Sequence, residues 1–299
     1  MKSFRKEDSV RKLITKIKHS LSPWRGLKEQ NCFILNELQR INEKMRYQQL
    51  EDSTLLGKDV LQTLSSFDYQ WHEIPQGVGM PDDQTFMKKI ESLICRMTDL
   101  APDWFSGKKV ADVGCGVGRF SYGFLSLNAW VTACDQSLAA LQRTKELCQR
   151  FAERLSTKQI NLLEWNEEEE YDLVFCFGVV HHTGNSYLAI RNAAQRVKKG
   201  GRLFLMVYGF PMTLSDMSEL NRYEALRREL RNCSLDERKK RLTKKFGPVL
   251  TQGWFDAVSP RINDLLTFEE GYDLLTQFGF KNIKRTMPGR NHHMVADHI

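Results

Sequence analysis

The fold of this chain is decided by the stretch VADVGCGVGRF, residues 110–120. Its mostly apolar first four residues predict a buried strand, and the alternating glycines that follow predict a tight turn into a helix. Glycine has no Cβ, so its backbone can adopt positive φ and its amides can approach a ligand closely. The N–H groups at the start of the next helix favour a polar or anionic ligand. The stretch therefore predicts a ligand-binding loop between a strand and a helix.

A carboxylate at the end of the next predicted strand supports this interpretation. Asp135 follows the apolar run 130–134, and an acid at that position holds a ribose diol in doubly wound folds. The glycine spacing is G-x-G-x-G, with Asp112 two residues before Gly114. This pattern resembles motif I of the class I S-adenosylmethionine-dependent methyltransferases. The resemblance implies S-adenosyl-L-methionine as the cofactor.

The resemblance also implies a set of cofactor-binding residues. They are Asp112, Gly114, Gly116, Gly118, Asp135, Glu164 and Trp165. Asp112 would lie below the methionine ammonium group and Asp135 would accept hydrogen bonds from the ribose hydroxyls, while the glycines let the backbone pass close to both. Glu164 and Trp165 follow the third predicted strand, where the family contacts adenine, although the glutamate run 167–170 departs from the family pattern.

Strands and helices alternate regularly from residue 109 onward. Predicted strands cover 109–113, 130–134, 159–163, 171–177 and 202–208, and predicted helices cover 83–99, 118–127, 137–155 and 186–197. A capping box at Thr267 and Glu270 starts a helix at 268–278, and two strands follow at about 280–287 and 292–296. Together with the resemblance, this predicts an α/β, Rossmann-like fold: a seven-stranded, mostly parallel sheet whose last strand is antiparallel.

The charge distribution separates an N-terminal extension from the rest of the chain. The first 50 residues hold twelve Lys and Arg against five Asp and Glu, which accounts for the whole formal net charge of +7. We therefore predict a basic helical extension at 1–66 and a methyltransferase domain at 67–299. Within that domain, residues 209–262 are charged and helical in character, and we interpret them as a lid over the substrate.

The extension allows several interpretations. Apolar residues at helical spacing in 1–22, with basic residues between them, predict an amphipathic helix that lies on an anionic membrane, on RNA, or on the body of the protein. Residues 29–50 place apolar residues at steps of four and three, which suits either a homodimer seam or packing within the monomer. The seven cysteines include no C-x-x-C pair and indicate a reducing compartment, so we expect a cytoplasmic protein, with membrane association through the extension as the alternative.

The histidine pair at the end of the fourth strand is the candidate catalytic feature. Many small-molecule methyltransferases carry a paired histidine there, and either His181 or His182 has the near-neutral pKa that suits a general base for an alcohol acceptor. The competing interpretation is that both only pack helix against strand. Adjacent histidines at a strand end point apart, so no metal site is expected. Four further residues are candidates for substrate binding: Tyr208, Arg222, Tyr223 and Arg261.

These observations predict a methyltransferase that acts on a small-molecule or glycan-precursor acceptor, most simply at oxygen. One alternative is an RNA methyltransferase that uses the basic extension for phosphate contacts, although the neutral body and the absence of the base-methylating signature argue against nucleic acid. The other alternative is a non-catalytic subunit that binds S-adenosylmethionine within a complex.

Overall fold

A computed structural model of the chain describes residues 53–168 and 170–299. The predicted basic helix at 1–22 and the predicted helix at 29–50, with its homodimer seam, lie outside these residues. Helix α1 (Ser53–Glu73) opens the described part and continues through residues 66 and 67 without a break. The domain boundary predicted at that point therefore falls in the middle of a helix.

The predicted seven-stranded sheet is confirmed. Its strands are β1 (Lys109–Val113), β2 (Trp130–Asp135), β3 (Leu155–Gln159), β4 (Tyr171–Phe177), β5 (Val197–Val207), β6 (Phe280–Arg285) and β7 (His292–His298). They lie side by side in the order β3-β2-β1-β4-β5-β7-β6. Strands β1 to β5 pair in parallel, and β7 is antiparallel to both of its neighbours.

Helices cover both faces of the sheet and its carboxyl edge. After α1 they are α2 (Gln84–Met87), α3 (Ile90–Thr98), α4 (Arg119–Ser126), α5 (Leu138–Leu147), α6 (Ser186–Ala194), α7 (Leu214–Leu230), α8 (Leu235–Phe246), α9 (Pro248–Val258) and α10 (Phe268–Gln277). The capping box predicted at the start of α10 is present, because the Thr267 and Glu270 side chains each accept from the other's backbone N–H.

The alternation of side chains along β1 shows how the core is divided. Ala111 and Val113 face one apolar layer, which includes residues of α6 and α10. Val110 faces the other layer, which includes α3 and α4. Successive residues of a strand point to opposite faces, so Asp112 lies on the same face as Val110 and reaches Ser121 of α4. Within the described ranges, no helix combines the length and apolar composition needed to span a bilayer.

Three predicted element bounds are wrong in ways that affect the site. Strand β3 covers Leu155–Gln159, four residues before the predicted 159–163. The helix predicted over 137–155 ends at Leu147, and a 3₁₀ segment (Gln149–Arg154) connects it to β3. The helix predicted over 83–99 is two helices, α2 and α3.

Candidate functional site

A cavity of about 620 Å³ lies at the carboxyl edge of the sheet, where β1, β2, β4 and β5 end. Ligand sites in open α/β sheets occur at this edge, and the volume lies in the range of small-molecule pockets. Residues of α1 cover one side of the cavity, and Gln252 and Asp256 of α9 contribute to its wall. The predicted lid region thus supplies part of the enclosure.

The glycine-rich loop forms the floor of the cavity, and its three glycines all have positive φ, between 54° and 82°. A Cβ on Gly114 would collide with the Val179 side chain. A Cβ on Gly118 would lie 2.8 Å from the Thr144 hydroxyl oxygen. The structure therefore requires glycine at these positions for both backbone conformation and space.

Asp135 is held by the loop that it faces. Its carboxylate accepts the backbone N–H of Gly116 at 2.9 Å and that of Ser137 at 2.9 Å. Burial raises the pKa of Asp135, the backbone N–H groups oppose this, and the nearby charge of Asp68 raises the pKa further. Carboxylate oxygens carry about four lone-pair sites between them, so Asp135 can still accept from a ligand hydroxyl.

Asp112 is an almost completely buried acid beneath the same loop, with 2% of its surface exposed. The hydroxyl of Ser121 donates to it at 2.6 Å. Burial raises the pKa of Asp112 to about 7, the Ser121 hydrogen bond opposes this, and the charge of Asp135 adds to it. Among the described residues no cationic side chain forms an ion pair with Asp112, and such a buried carboxylate is suited to bind a positively charged ligand group.

Arg119, the first residue of α4, is a site residue that our sequence interpretation missed. Its guanidinium lies 4.8 Å from the ring centre of Phe120 and 5.5 Å from that of Phe177, and it donates to the Gly79 carbonyl at 2.7 Å. It lines the cavity together with Asp256. Its position next to Gly118, where the loop enters the helix, was the signal available in the sequence.

Helix α1 supplies a second group of missed residues. Trp71 packs on the glycine-rich loop so closely that a Cβ on Gly116 would lie 3.1 Å from its ring. Asp68 accepts from the Ser137 hydroxyl at 2.6 Å, which ties α1 to the start of α5. Both residues line the cavity. The aromatic cluster of residues 67–72 was the sequence signal for this contact.

The structure gives the two predicted histidines different environments. His182 lines the cavity, and its Nδ1 lies 2.7 Å from the carbonyl oxygen of Ile262. A carbonyl only accepts, so Nδ1 carries the proton and the lone pair of the neutral ring is on Nε2. Burial lowers the pKa of His182, whereas the charge of Asp256 and the Ile262 carbonyl oppose this. At neutral pH the imidazole is therefore neutral.

His181 is fully buried and is not among the residues that line the cavity. Its Nδ1 accepts the backbone N–H of Tyr208 at 3.3 Å, and its ring stacks on that of Tyr208 with centroids 3.7 Å apart. Burial, followed by the charges of His182 and Arg290, holds the pKa of His181 well below its ordinary value. His181 therefore positions Tyr208, which does line the cavity.

Glu164 and Trp165, the predicted adenine contacts, lie outside the lining of the cavity. Trp165 is buried in the core against Tyr171, and neither residue lines the cavity, which instead meets residues 160–163. The physical reason is the earlier end of β3: the residues just beyond its carboxyl end are those that follow Gln159.

Three of the four predicted substrate residues also lie away from the cavity. The exposed Arg222 of α7 has its guanidinium 4.5 Å from the ring centre of Trp254. Tyr223 donates to Glu219 of its own helix at 2.8 Å. Arg261 forms an ion pair with Asp59 of α1 at 3.0 Å and lines a different cavity. Tyr208 alone of the four faces the main cavity.

Residues 111–203, which span β1 to β5, match the family described as "Methyltransferase domain". An uncharacterised protein of Synechococcus sp. is 30% identical over 177 residues, which cover 53% of this chain and 42% of the relative. The ubiquinone biosynthesis O-methyltransferase of Dechloromonas aromatica is 34% identical over 102 residues, which cover 33% of this chain and 44% of the relative. The chain thus spans less than half the length of these relatives.

Among solved structures, the magnesium protoporphyrin IX methyltransferase of Synechocystis PCC 6803, with bound SAH, superposes with a TM-score of 0.51 at 16% identity. The superposition covers 80% of this chain and 98% of that one. This likeness is one of fold. The sheet order and the matched segment define a class I methyltransferase domain. The resemblance of the glycine-rich loop to the class I S-adenosylmethionine-dependent methyltransferases is thereby confirmed, and residues 111–203 match a methyltransferase domain.

Proposed function

We propose that this protein transfers a methyl group from S-adenosylmethionine to an oxygen atom of a small-molecule or glycan-precursor acceptor. The observation that carries the proposal is the convergence of two features on one cavity. One is the loop of Gly114–Gly118 with Asp135 beside it, and the other is His182 with its Nε2 lone pair available.

The residues of the cavity fit the cofactor. Asp135 would accept from the ribose hydroxyls, because its carboxylate lies at the end of β2 and is already oriented by two loop amides. Asp112 would attract the methionine ammonium group and Arg119 the carboxylate, since Asp112 is a buried acid beneath the loop and Arg119 a half-buried cation that lines the cavity. Residues 160–163, which follow β3, would flank the adenine in place of Glu164 and Trp165.

When bound, S-adenosylmethionine supplies a methyl group on a positively charged sulfonium. The contribution of the protein to such a displacement is mostly alignment and exclusion of water. Helix α1 covers the cavity with Phe67, Asp68 and Trp71, and helix α9 supplies Gln252 and Asp256 on the wall. These elements enclose the reacting groups between the N-terminal helix and the lid.

His182 would act as the general base. The Ile262 carbonyl fixes the proton on Nδ1, so Nε2 is the atom that accepts the proton of an acceptor hydroxyl. The charge of Asp256 favours the imidazolium that results. His181 cannot take this role in its present hydrogen-bonding arrangement, because the Tyr208 N–H occupies its unprotonated nitrogen.

The aligned relatives are consistent with an oxygen acceptor on a small molecule, because several of them are ubiquinone biosynthesis O-methyltransferases. Their alignment covers about a third of this chain, so it supports the type of transfer and leaves the acceptor itself to experiment.

Two measurements test the proposal. Calorimetry should detect binding of S-adenosylhomocysteine and none of NAD, and equal binding of both would contradict the cofactor assignment. Incubation of cell extract with the protein and methyl-labelled cofactor should then place label in free metabolites, in lipid or in polysaccharide. Label that enters RNA instead would contradict the proposed acceptor class.

A further inference from the structure

The structure contains a second cavity, of about 350 Å³. It is formed between α1, the lid helices α7 and α8, and residues 258–261. Five arginines contribute to its lining: Arg227, Arg228, Arg231, Arg238 and Arg261. The proposed methyl transfer uses none of these side chains.

The cavity has an excess of positive charge. Asp59 and Glu224 are the acids among its lining residues, so five arginines face two carboxylates and leave a net formal charge of +3. Asp59 pairs with Arg261 and Glu224 pairs with Arg227. Within the described part of the chain, no ion pair neutralises Arg228 or Arg231.

The buried member of the group keeps its charge as well. Arg238 is 5% exposed, and its guanidinium donates to the carbonyl oxygens of Cys233, Arg231 and Ser259. These carbonyls satisfy hydrogen bonds without neutralising charge. Burial, followed by the charge of Arg261, lowers the pKa of Arg238. Packing like charges together costs free energy that an anion would offset.

An independent feature of the cavity also indicates a ligand. Ser259 lines it with 1% of its surface exposed, and its hydroxyl oxygen has no hydrogen-bond partner. Its backbone carbonyl, by contrast, accepts from Gln62 and Arg238. Buried hydroxyls are rarely left without a partner, and this one belongs to a residue that lines the arginine-rich cavity.

We propose that this cavity binds the phosphoryl group of a phosphate-bearing ligand. Arginine presents planar, paired N–H donors that match phosphate oxygens, and the Ser259 hydroxyl supplies a neutral donor among them. A charge of +3 suits a ligand that carries two or more negative charges, such as a diphosphate. The proposal does not depend on the methyltransferase assignment, because the two cavities have no lining residue in common.

A phosphoryl group that this cavity binds could belong to a free phosphorylated molecule or to the headgroup of an anionic lipid. The first is tested by titrating the full chain with inorganic pyrophosphate in a calorimeter, where we expect saturable one-to-one binding. The second is tested by co-sedimentation with phosphatidylcholine vesicles that contain phosphatidic acid, compared with vesicles of phosphatidylcholine alone.

Two variants locate the binding. The double change Arg228→Gln and Arg231→Gln should weaken binding by about tenfold or more, since it removes two charge-assisted contacts. Ser259→Ala should weaken it by a factor of about three to ten without changing any charge, because it removes one hydrogen-bond donor. The Ser259 hydroxyl makes no bond within the described chain, so the substitution leaves the fold intact.

The matched control is the pair Lys240→Gln and Lys244→Gln, which removes two charges from exposed positions of α8 outside the cavity lining. The proposal is supported if the cavity variants weaken binding and the lysine pair does not. The assay in which the loss occurs shows whether the ligand is a free phosphorylated molecule or a lipid headgroup. Absence of saturable binding in both assays, or an equal loss in the lysine control, would overturn it. Affinity for S-adenosylhomocysteine should be the same in all variants, which separates this result from the proposed function.

Discussion

The imidazole Nδ1 of His182 donates to the carbonyl oxygen of Ile262 at a distance of 2.7 Å. This contact joins the segment after β4 to the segment after α9, 80 residues later in the chain. It determines which nitrogen of His182 is basic. The ring of His181 lies 4.3 Å from that of His182, centroid to centroid. In His181 the Nδ1 atom accepts a hydrogen bond from the backbone N–H of Tyr208, so the proton of the neutral ring is on Nε2 instead. Two neighbouring residues of one type thus have separate roles.

Replacement of His182 by glutamine should lower kcat by about 10²- to 10⁴-fold, the usual contribution of a general base. Glutamine can still contact the Ile262 carbonyl, but it cannot accept a proton. The affinity for S-adenosylhomocysteine should be unchanged, since the change is on the acceptor side of the cavity. Single-turnover methyl transfer to the acceptor found by labelling is the measurement. If kcat fell by less than about tenfold, a group other than His182 would accept the proton.

Activity should decrease as pH falls through the pKa of His182, which burial places below its ordinary value. Asp256 opposes that shift, because its negative charge favours the imidazolium. Asp256→Asn should therefore lower the pKa of His182 further and move the acidic limb of the pH–rate profile to lower pH. A limb that stays in place or moves to higher pH would show that Asp256 does not act on the titrating group.

Asp135→Ala should weaken binding of S-adenosylhomocysteine by about 10- to 150-fold, the equivalent of the ~1.5–3 kcal/mol of a hydrogen bond to a charged group. Glu164→Ala is the matched control. It also removes a carboxylate near a strand end, but its position is exposed and outside the cavity lining. Calorimetry compares the two. If Glu164→Ala weakened binding of S-adenosylhomocysteine as much as Asp135→Ala, Glu164 would contact the adenine as the sequence predicted.

Glu164 and Trp165 were predicted as adenine contacts because the third strand is not recognisable in the sequence. Strand β3 has the sequence LSTKQ, and it pairs only with β2 at the edge of the sheet. An edge strand can be largely polar, so no apolar run marks it. The mostly apolar residues 160–163, which we interpreted as part of the strand, form part of the cavity wall instead.

The central strands were predictable because they are buried on both faces and are therefore continuously apolar. The predicted bounds of β1 and β4 match the structure. The sequence predicted that residues 209–262 are helical, but it did not predict which side of each helix faces the cavity. Arg222 and Arg261 follow the same charged pattern, yet one stacks on Trp254 and the other lines the second cavity. Long-range packing decides such orientations, and no local spacing encodes it.

Gly114→Ala should destabilise the protein by about 2–5 kcal/mol, because the position combines a φ of +70° with a collision against Val179. Gly200→Ala is the control for conformation alone. It has a φ of +77° and no atom within 4 Å of the added methyl, so its cost should be about 1–2 kcal/mol.

Adding Val179→Ala to Gly114→Ala should recover part of the loss, and the double-mutant cycle by urea denaturation measures that coupling. Strict additivity of the two changes would show that the collision is relieved by a shift of the backbone.

Asp112→Asn should stabilise the ligand-free protein at neutral pH and abolish cofactor binding. The pKa of Asp112 is raised from 3.8 in the unfolded chain to about 7 in the fold. Its stability contribution is therefore fully present below pH 3.8 and is lost as pH rises through about 7, by up to ~4 kcal/mol at 1.36 kcal/mol per pKa unit. Asparagine has no such titration and can still accept from the Ser121 hydroxyl. Urea denaturation at pH 5 and pH 8 should thus show a smaller stability difference for the variant than for the parent protein. If the stability difference between pH 5 and pH 8 is the same in the parent protein and in the variant, the charge of Asp112 does not destabilise the ligand-free protein.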